Sequence, residues 1–160
     1  MAVTYRVDRW LYRGGRPHLL ARFLNRAWAE LGARGVGPRG LAQLQVIGRK
    51  SGKPVSFPVV VADFDGGRYL VSMLGEDTNW VRNVRAAEGC AVLLHGRREP
   101  VRLEEVDLDE RPPILRRYLE CAPGGRPHFP VDRKAQMAAF EEIAGQFPVF
   151  RVTAPVPSDT

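Results

Sequence analysis

Leu44-Gln45-Val46-Ile47-Gly48-Arg49-Lys50-Ser51-Gly52-Lys53-Pro54-Val55-Ser56-Phe57-Pro58-Val59-Val60-Val61-Ala62 reads as two strands folded about a cationic turn. Two runs rich in β-branched residues flank a Gly, Arg, Lys and Ser cluster, which is the pattern of a hairpin. The first strand is predicted over residues 41–47 and its partner over 55–63. Asp65-Gly66-Gly67 supplies a second turn, because glycine accepts the positive φ that tight hairpin loops require. A third strand follows over residues 68–73. Thr78-Asn79-Trp80-Val81-Arg82-Asn83 then opens a helix with Thr78 as N-cap. That helix should reach Ala87 and end at Gly89.

Outward from this stretch the pattern continues. Residues 90–95 and 99–106 read as strands joined at Gly96-Arg97-Arg98. Residues 107–122 are helical beyond Pro112-Pro113, which suit a first turn because its N–H groups have no helical partner anyway. A Gly/Pro loop over 122–130, a helix capped by Asp132 through Met137, Phe140 and Ile143, and a last strand over 147–153 complete the body. Residues 154–160 lack core-forming side chains and are expected to be a mobile tail. Toward the N-terminus, Leu19, Leu20, Phe23, Leu24, Ala27, Trp28 and Leu31 recur at three- and four-residue steps, so residues 17–31 form an amphipathic helix. Its other face carries Arg16, Arg22 and Arg26. The helix covers the open side of the sheet or makes peripheral contact with a membrane. Residues 32–40 hold four glycines and Pro38 and read as a flap or linker.

About six mainly antiparallel strands with hairpin turns and interspersed helices indicate an α+β fold, a small closed or split β-barrel with helices packed outside. Alternating βαβ units are missing, which argues against a dinucleotide-binding Rossmann fold. The 160 residues suit one domain over 1–160, since domains commonly hold about 100–150 residues. Hydrophobic residues at 44% against 26% charged support a packed core rather than disorder. A net charge of +6 points to anionic company: nucleic acid, lipid or a phosphorylated small molecule. No secretory leader or bilayer-length apolar run is evident, so a cytoplasmic location is expected. Cys90 and Cys121 form no C-x-x-C pair and are expected to be reduced thiols.

In Gly48-Arg49-Lys50-Ser51-Gly52-Lys53 the side chains of Arg49 and Lys50 bring positive charge and Ser51 a hydroxyl. The glycines let backbone N–H groups approach an anion closely. A phosphate or carboxylate site follows from that chemistry, and a solvated hairpin turn is the competing reading. Pro58 interrupts a good strand pattern and cannot donate to a ladder. It marks either a plain edge or a gap where, beside the Val59 N–H, the polar rim of a flat heterocycle is received. Trp80 and Asn83, three apart, share a helix face. They offer stacking and hydrogen bonding near a positive helix end, or Trp80 is simply a core anchor. His18, His95 and His128 have no metal-ligand spacing, and no nucleophile elbow or Walker A motif occurs. If the protein is an enzyme, a bound cofactor does the hard chemistry.

Gly48-Arg49-Lys50-Ser51-Gly52, then Pro58-Val59, then Trp80 and Asn83, resembles the deazaflavin-dependent nitroreductases, the F(420)H2-dependent nitro- and quinone-reductases of actinobacteria. The likeness spans residues 41–106, with Phe147-Pro148-Val149-Phe150 similar to the closing strand. It implies a split β-barrel related to FMN-binding domains, with coenzyme F(420) along the barrel. On that pattern Arg49, Lys50, Ser51 and Gly52 hold the phosphate or oligoglutamyl tail, Pro58 and Val59 present backbone to the ring, and Trp80 and Asn83 close over it. Hydride would pass to a small-molecule electron acceptor: a nitro-aromatic, quinone or activated alkene. The family pattern G-R-K-S/T-G-x-x-R-x-x-P has an arginine where this chain has Val55.

Ser72 and Tyr118 are donors suited to polarising a substrate oxygen as negative charge develops on it, and a structural role is the competing reading for each. Arg13, Arg16 and Trp28 lie on the N-terminal segment that would cover such a pocket. Barrels of this class often form homodimers across a sheet face. One rival keeps the barrel and binds FMN, whose smaller charge tolerates Val55. Another is a non-catalytic cofactor-, haem- or nucleic-acid-binding module. It ranks low for nucleic acid because Phe57 and Tyr69 are the only strand aromatics near the basic turn.

Overall fold

The computed structural model describes residues 40–157. The helix read over 17–31, and Arg13, Arg16 and Trp28 on it, lie outside them. Strand β1 (Leu41–Ile47) buries Ala42, Leu44 and Val46 and turns Gln43 and Gln45 away, the period of two that the sequence displays. It pairs antiparallel with β2 (Pro54–Val60), from Leu41 opposite Val60 to Ile47 opposite Pro54. Strands β3 (Ala62–Phe64) and β4 (Gly67–Val71) form a hairpin about Asp65 and Gly66, whose φ values of 47° and 77° make a type I′ turn. Strands β5 (Cys90–Leu94) and β6 (Arg98–Glu105) form another, and β7 (Val149–Thr153) enters between β6 and β4.

All the strand pairs are antiparallel, and the order is β2-β1-β5-β6-β7-β4-β3. The two edge strands, β2 and β3, are consecutive in the chain with Val61 alone between them. Six inter-strand spacings would set the edges of a flat sheet about 29 Å apart. Two peptide units reach only about 7 Å. The sheet therefore curls on itself into a half-barrel, the split-barrel form. Val61 is its corner, pinned by its N–H to the Gly40 carbonyl at 2.8 Å. The single strand expected over 55–63 is thus two, which makes seven strands rather than about six.

Curling creates an inside and an outside, and β4 shows the division. Leu70 faces in, among Leu44, Leu93, Val101, Leu103, Phe150 and Val152. Its neighbours Tyr69 and Val71 face out, against helices α2 (Arg111–Cys121) and α3 (Met137–Ile143) through Leu115, Leu119 and Phe140. Helix α1 (Asn79–Ala86) joins the inner cluster through Val81 and Val84. It ends in a Schellman arrangement, with Gly89 N–H donating to the Val84 carbonyl at 2.9 Å and Glu88 N–H to Arg85 at 3.2 Å. Glu88, at φ 53°, holds the left-handed position one residue before the expected glycine.

Two expected caps differ in detail. Thr78 stands at the N-cap of α1 without a side-chain cap bond, because its hydroxyl meets Ser72 Oγ at 3.2 Å. Asp132 makes an Asx turn, accepting from the Lys134 N–H at 2.7 Å, and Gln136 is the N-cap of α3. Pro112 and Pro113 sit in the first turn of α2 as read.

Glu99 of β6 carries the electrostatics of the inner face beyond the apolar cluster. Its carboxylate accepts from Arg68 NH1 at 2.9 Å, with His95 Nε2 at 3.4 Å and Arg97 NH2 at 3.9 Å. The Arg68 hydrogen bond, with its charge and a smaller part from His95, holds the Glu99 carboxyl below its ordinary 4.5 against the opposing effect of burial. A depressed carboxylate stabilises the fold above its ordinary value and stops doing so as the pH falls through its native one. Glu99→Gln is therefore expected to cost about 1 kcal/mol at neutral pH. Melting curves of the two proteins should converge as the pH drops below 4.5; a gap that persists in acid would mean packing, not charge, is lost.

Candidate functional site

The turn between β1 and β2 is built by its own backbone. Gly48 N–H donates to the Lys53 carbonyl at 2.8 Å, and Gly52 N–H to the Gly48 carbonyl at 2.9 Å. Ser51 Oγ accepts from the Lys53 N–H at 3.2 Å. A Cβ on Gly48 would lie 2.7 Å from Ser51 Oγ, so only glycine leaves the serine in place. Gly52 has φ 69° and open space where a Cβ would stand. Lys50, Ser51, Gly52 and Lys53 are exposed.

Arg49 alone of these turns inward. Its backbone N–H and its NH1 both donate to Asn83 Oδ1, at 3.1 and 2.8 Å. Turn and helix are thereby locked across a sequence separation of 34. The other guanidinium N–H groups have no partner among the described residues. The structure thus brings together Arg49, Lys50, Ser51, Gly52 and Asn83 as one cationic corner.

Trp80, on the first turn of α1, is half-buried between Phe57 of β2 and Phe150 of β7, with ring centroids 5.6 and 5.5 Å away. Those two partners escaped the sequence reading, which had no closed sheet to bring β2 and β7 to the same helix. Phe57 opposes Leu44 and Val59 opposes Ala42, so both turn inward toward Trp80, while Pro58 and Ser56 face outward. Prolines at positions 54 and 58 lack N–H groups, and Gln43 and Gln45 are paired with β5 on their other side. By alternation, the Val59 N–H faces β1 and Pro58 shows its carbonyl at the free edge of β2. Pro58 and Trp80 therefore stand on different faces of the sheet.

Ser72 and Tyr118 are placed elsewhere. Ser72 is fully buried, with Oγ donating to the Gly75 carbonyl at 2.7 Å. Tyr118 lies in the outer cluster, its ring tilted against Phe129 at 5.9 Å, and burial pushes its phenol upward from the ordinary value of 10.0. A hollow of about 530 Å³ lies beside the start of α2, lined by Glu105, Asp107, Asp109, Leu108, Val106 and Arg111. Its carboxylates give it the wrong sign for an anionic ligand, whatever its size. Arg111 is spent inside, donating to the Val106 and Ala144 carbonyls. Among the described residues no group of His, Cys, Asp and Glu is arranged to hold a metal, and no helix is long and apolar enough to cross a membrane.

Known proteins sort this geometry. A family model described as F(420)H(2)-dependent quinone reductase matches residues 20–132. Among solved structures, one described as a domain-swapped dimer is 20% identical, covering 82% of this chain and 91% of its own at a TM-score of 0.50. A protein of unknown function from Agrobacterium tumefaciens strain C58 is 16% identical, covering 76% and 52%, at 0.54. Both likenesses are of fold. A structure described as an F(420)-H2 dependent reductase is 21% identical, covering 73% and 96%, at 0.49. No curated protein shows a significant match. With more than half its length matched, the chain belongs to the F(420)H(2)-dependent quinone reductase family, a family of oxidoreductases.

Proposed function

We propose that this protein binds reduced coenzyme F(420) and passes its hydride to a small organic acceptor: a quinone first, with nitro-aromatics and activated alkenes of the same electron demand. The observation that carries the reading is the cationic corner at Arg49, Lys50 and Ser51, held against α1 and set beside the Trp80 and Phe57 rings. The donor set fits the cofactor. Guanidinium N–H groups without a partner among the described residues, an ammonium and a glycine turn suit a phosphate and carboxylate tail, and the aromatic pair suits a flat ring. When bound, reduced F(420) supplies the hydride. The chain's part is to hold the tail at Arg49 and Lys50 and to shield the ring with Trp80. Pro58 would border the ring with its edge carbonyl and Val59 with its inward side chain, the Val59 N–H being turned to β1. Ser72, buried and already hydrogen-bonded, and Tyr118, buried in the outer cluster, are assigned to structure here rather than to chemistry.

FMN is the second reading, and one residue favours it. Val55 stands where the resembled pattern has an arginine; it opposes Val46 on the inner face and is 42% exposed. A larger side chain fits there, and Val55→Arg is expected to tighten F(420) binding about five-fold by adding one cation near the tail. Unaltered affinity would place the tail away from β2. A homodimer is proposed across the outer face of the sheet, where Ile47 at the end of β1 is exposed. Membrane contact rests on the sequence of residues 17–31 alone.

Fluorescence titration of ligand-stripped protein with F(420) and with FMN tests the function directly. Preference for F(420), followed by its oxidation in the presence of a quinone, is the expected result. Preference for FMN would move the protein to the flavin branch, and binding of neither would remove the proposal.

A further inference from the structure

The Asn83 side chain is 6% exposed, and its one carbonyl oxygen accepts two N–H groups of the same residue, the Arg49 backbone and the Arg49 guanidinium. An amide oxygen offers two lone pairs, so its acceptor capacity is filled. A residue arranged in this way is poorly placed to accept from a ligand, yet well placed to order an arginine. A free arginine loses its rotamer freedom on gripping an anion, and that loss weakens binding. Arg49 held at both its backbone and its NH1 has lost most of it already.

We propose that Asn83 is a positioning residue: it acts on the anionic tail only through Arg49, fixing the guanidinium toward the turn without touching the ligand. This rests on the F(420) reading for its ligand, but not for its geometry. Helix α1 then serves as the rigid backing of a hairpin turn that would otherwise be solvent-exposed on every side. The Arg49 amide, tied to a side chain of α1, reports the link whether or not a ligand is present.

The test is a double-mutant cycle read by F(420) titration, with amide hydrogen exchange of Arg49 in the unliganded protein. Asn83→Ala should weaken F(420) binding about ten-fold in the native background and have no further effect in an Arg49→Ala background. Equal losses in both backgrounds would show that Asn83 meets the ligand itself, and no loss in either would show that it does nothing for binding; both overturn the proposal. Asn83→Ala should also strip the Arg49 amide of protection, whereas Asn83→Asp, which keeps the acceptor, should retain it. Undiminished protection in Asn83→Ala would overturn the proposal even if native protein failed to bind F(420). That failure alone would sink only the cofactor assignment. Should Asn83→Ala melt below the assay temperature, Asn83→Ser takes its place in the same cycle.

Discussion

Replacing Arg49 and Lys50 together by alanine is expected to weaken F(420) binding about a hundred-fold, as two charge-assisted contacts of about 1.5 kcal/mol each are removed. The loss should be largest at low ionic strength, since the native protein's affinity falls as salt screens the exposed Lys50 while the variant has little left to screen. The same titration performed on the fold itself separates binding from damage. Arg49→Ala also removes one of the two hydrogen bonds to the oxygen of buried Asn83, the guanidinium one, while the backbone N–H stays on it. That costs about 1 kcal/mol and lowers the melting temperature by about 2–4 °C. A variant that melts in that range and binds F(420) as the native protein does would show that the turn is a solvated hairpin after all.

Gly89→Ala should produce the largest change in stability of any single methyl addition among the described glycines. Gly89 has φ 83°, where an L side chain is strained, and its missing Cβ would run into the Leu103 carbonyl of β6. Both of its backbone groups are committed, the N–H to Val84 and the carbonyl to the Leu103 N–H at 2.8 Å. Helix and strand cannot part to admit a methyl group without losing the end of α1. We expect a loss of about 3 kcal/mol, or about 6–12 °C in melting temperature. Gly66→Ala is the control: φ is 77° but nothing lies within 4 Å, so the backbone cost of about 1 kcal/mol stands alone. Similar melting temperatures for the two variants would mean that β6 yields at Leu103.

Local chemistry was legible in the sequence, and closure was not. Ala42, Leu44 and Val46 alternate so regularly that β1 was read to its observed limits. Asp65-Gly66 announced its turn because only certain residues accept positive φ. Nothing in Val60-Val61-Ala62 betrays a barrel corner, since three apolar residues look alike inside a strand and across a bend. The bend is imposed by the rest of the sheet. At the candidate site, the residue types in the turn indicated an anion. The spacing of Trp80 and Asn83 indicated a common helix side, but neither partner was within reach of sequence. Asn83 meets a residue 34 positions away. Trp80 meets Phe150, which only the entry of β7 beside β4 brings near. Ser72 and Tyr118 show the same limit from the other direction: a hydroxyl has no address until burial is known.

The place of β7 has a consequence for how the chain is made. Without Val149–Thr153 the remaining strands fall into two unconnected ladders, β2-β1-β5-β6 and β4-β3, sharing only the bend at Val61. On the ribosome both ladders emerge first, each with a raw edge, and β4 waits about eighty residues for its neighbour. Vectorial synthesis thus leaves the keystone as the last of the described strands to emerge. Until it drops in, β6 and β4 are open to the matching strand of any nascent chain alongside.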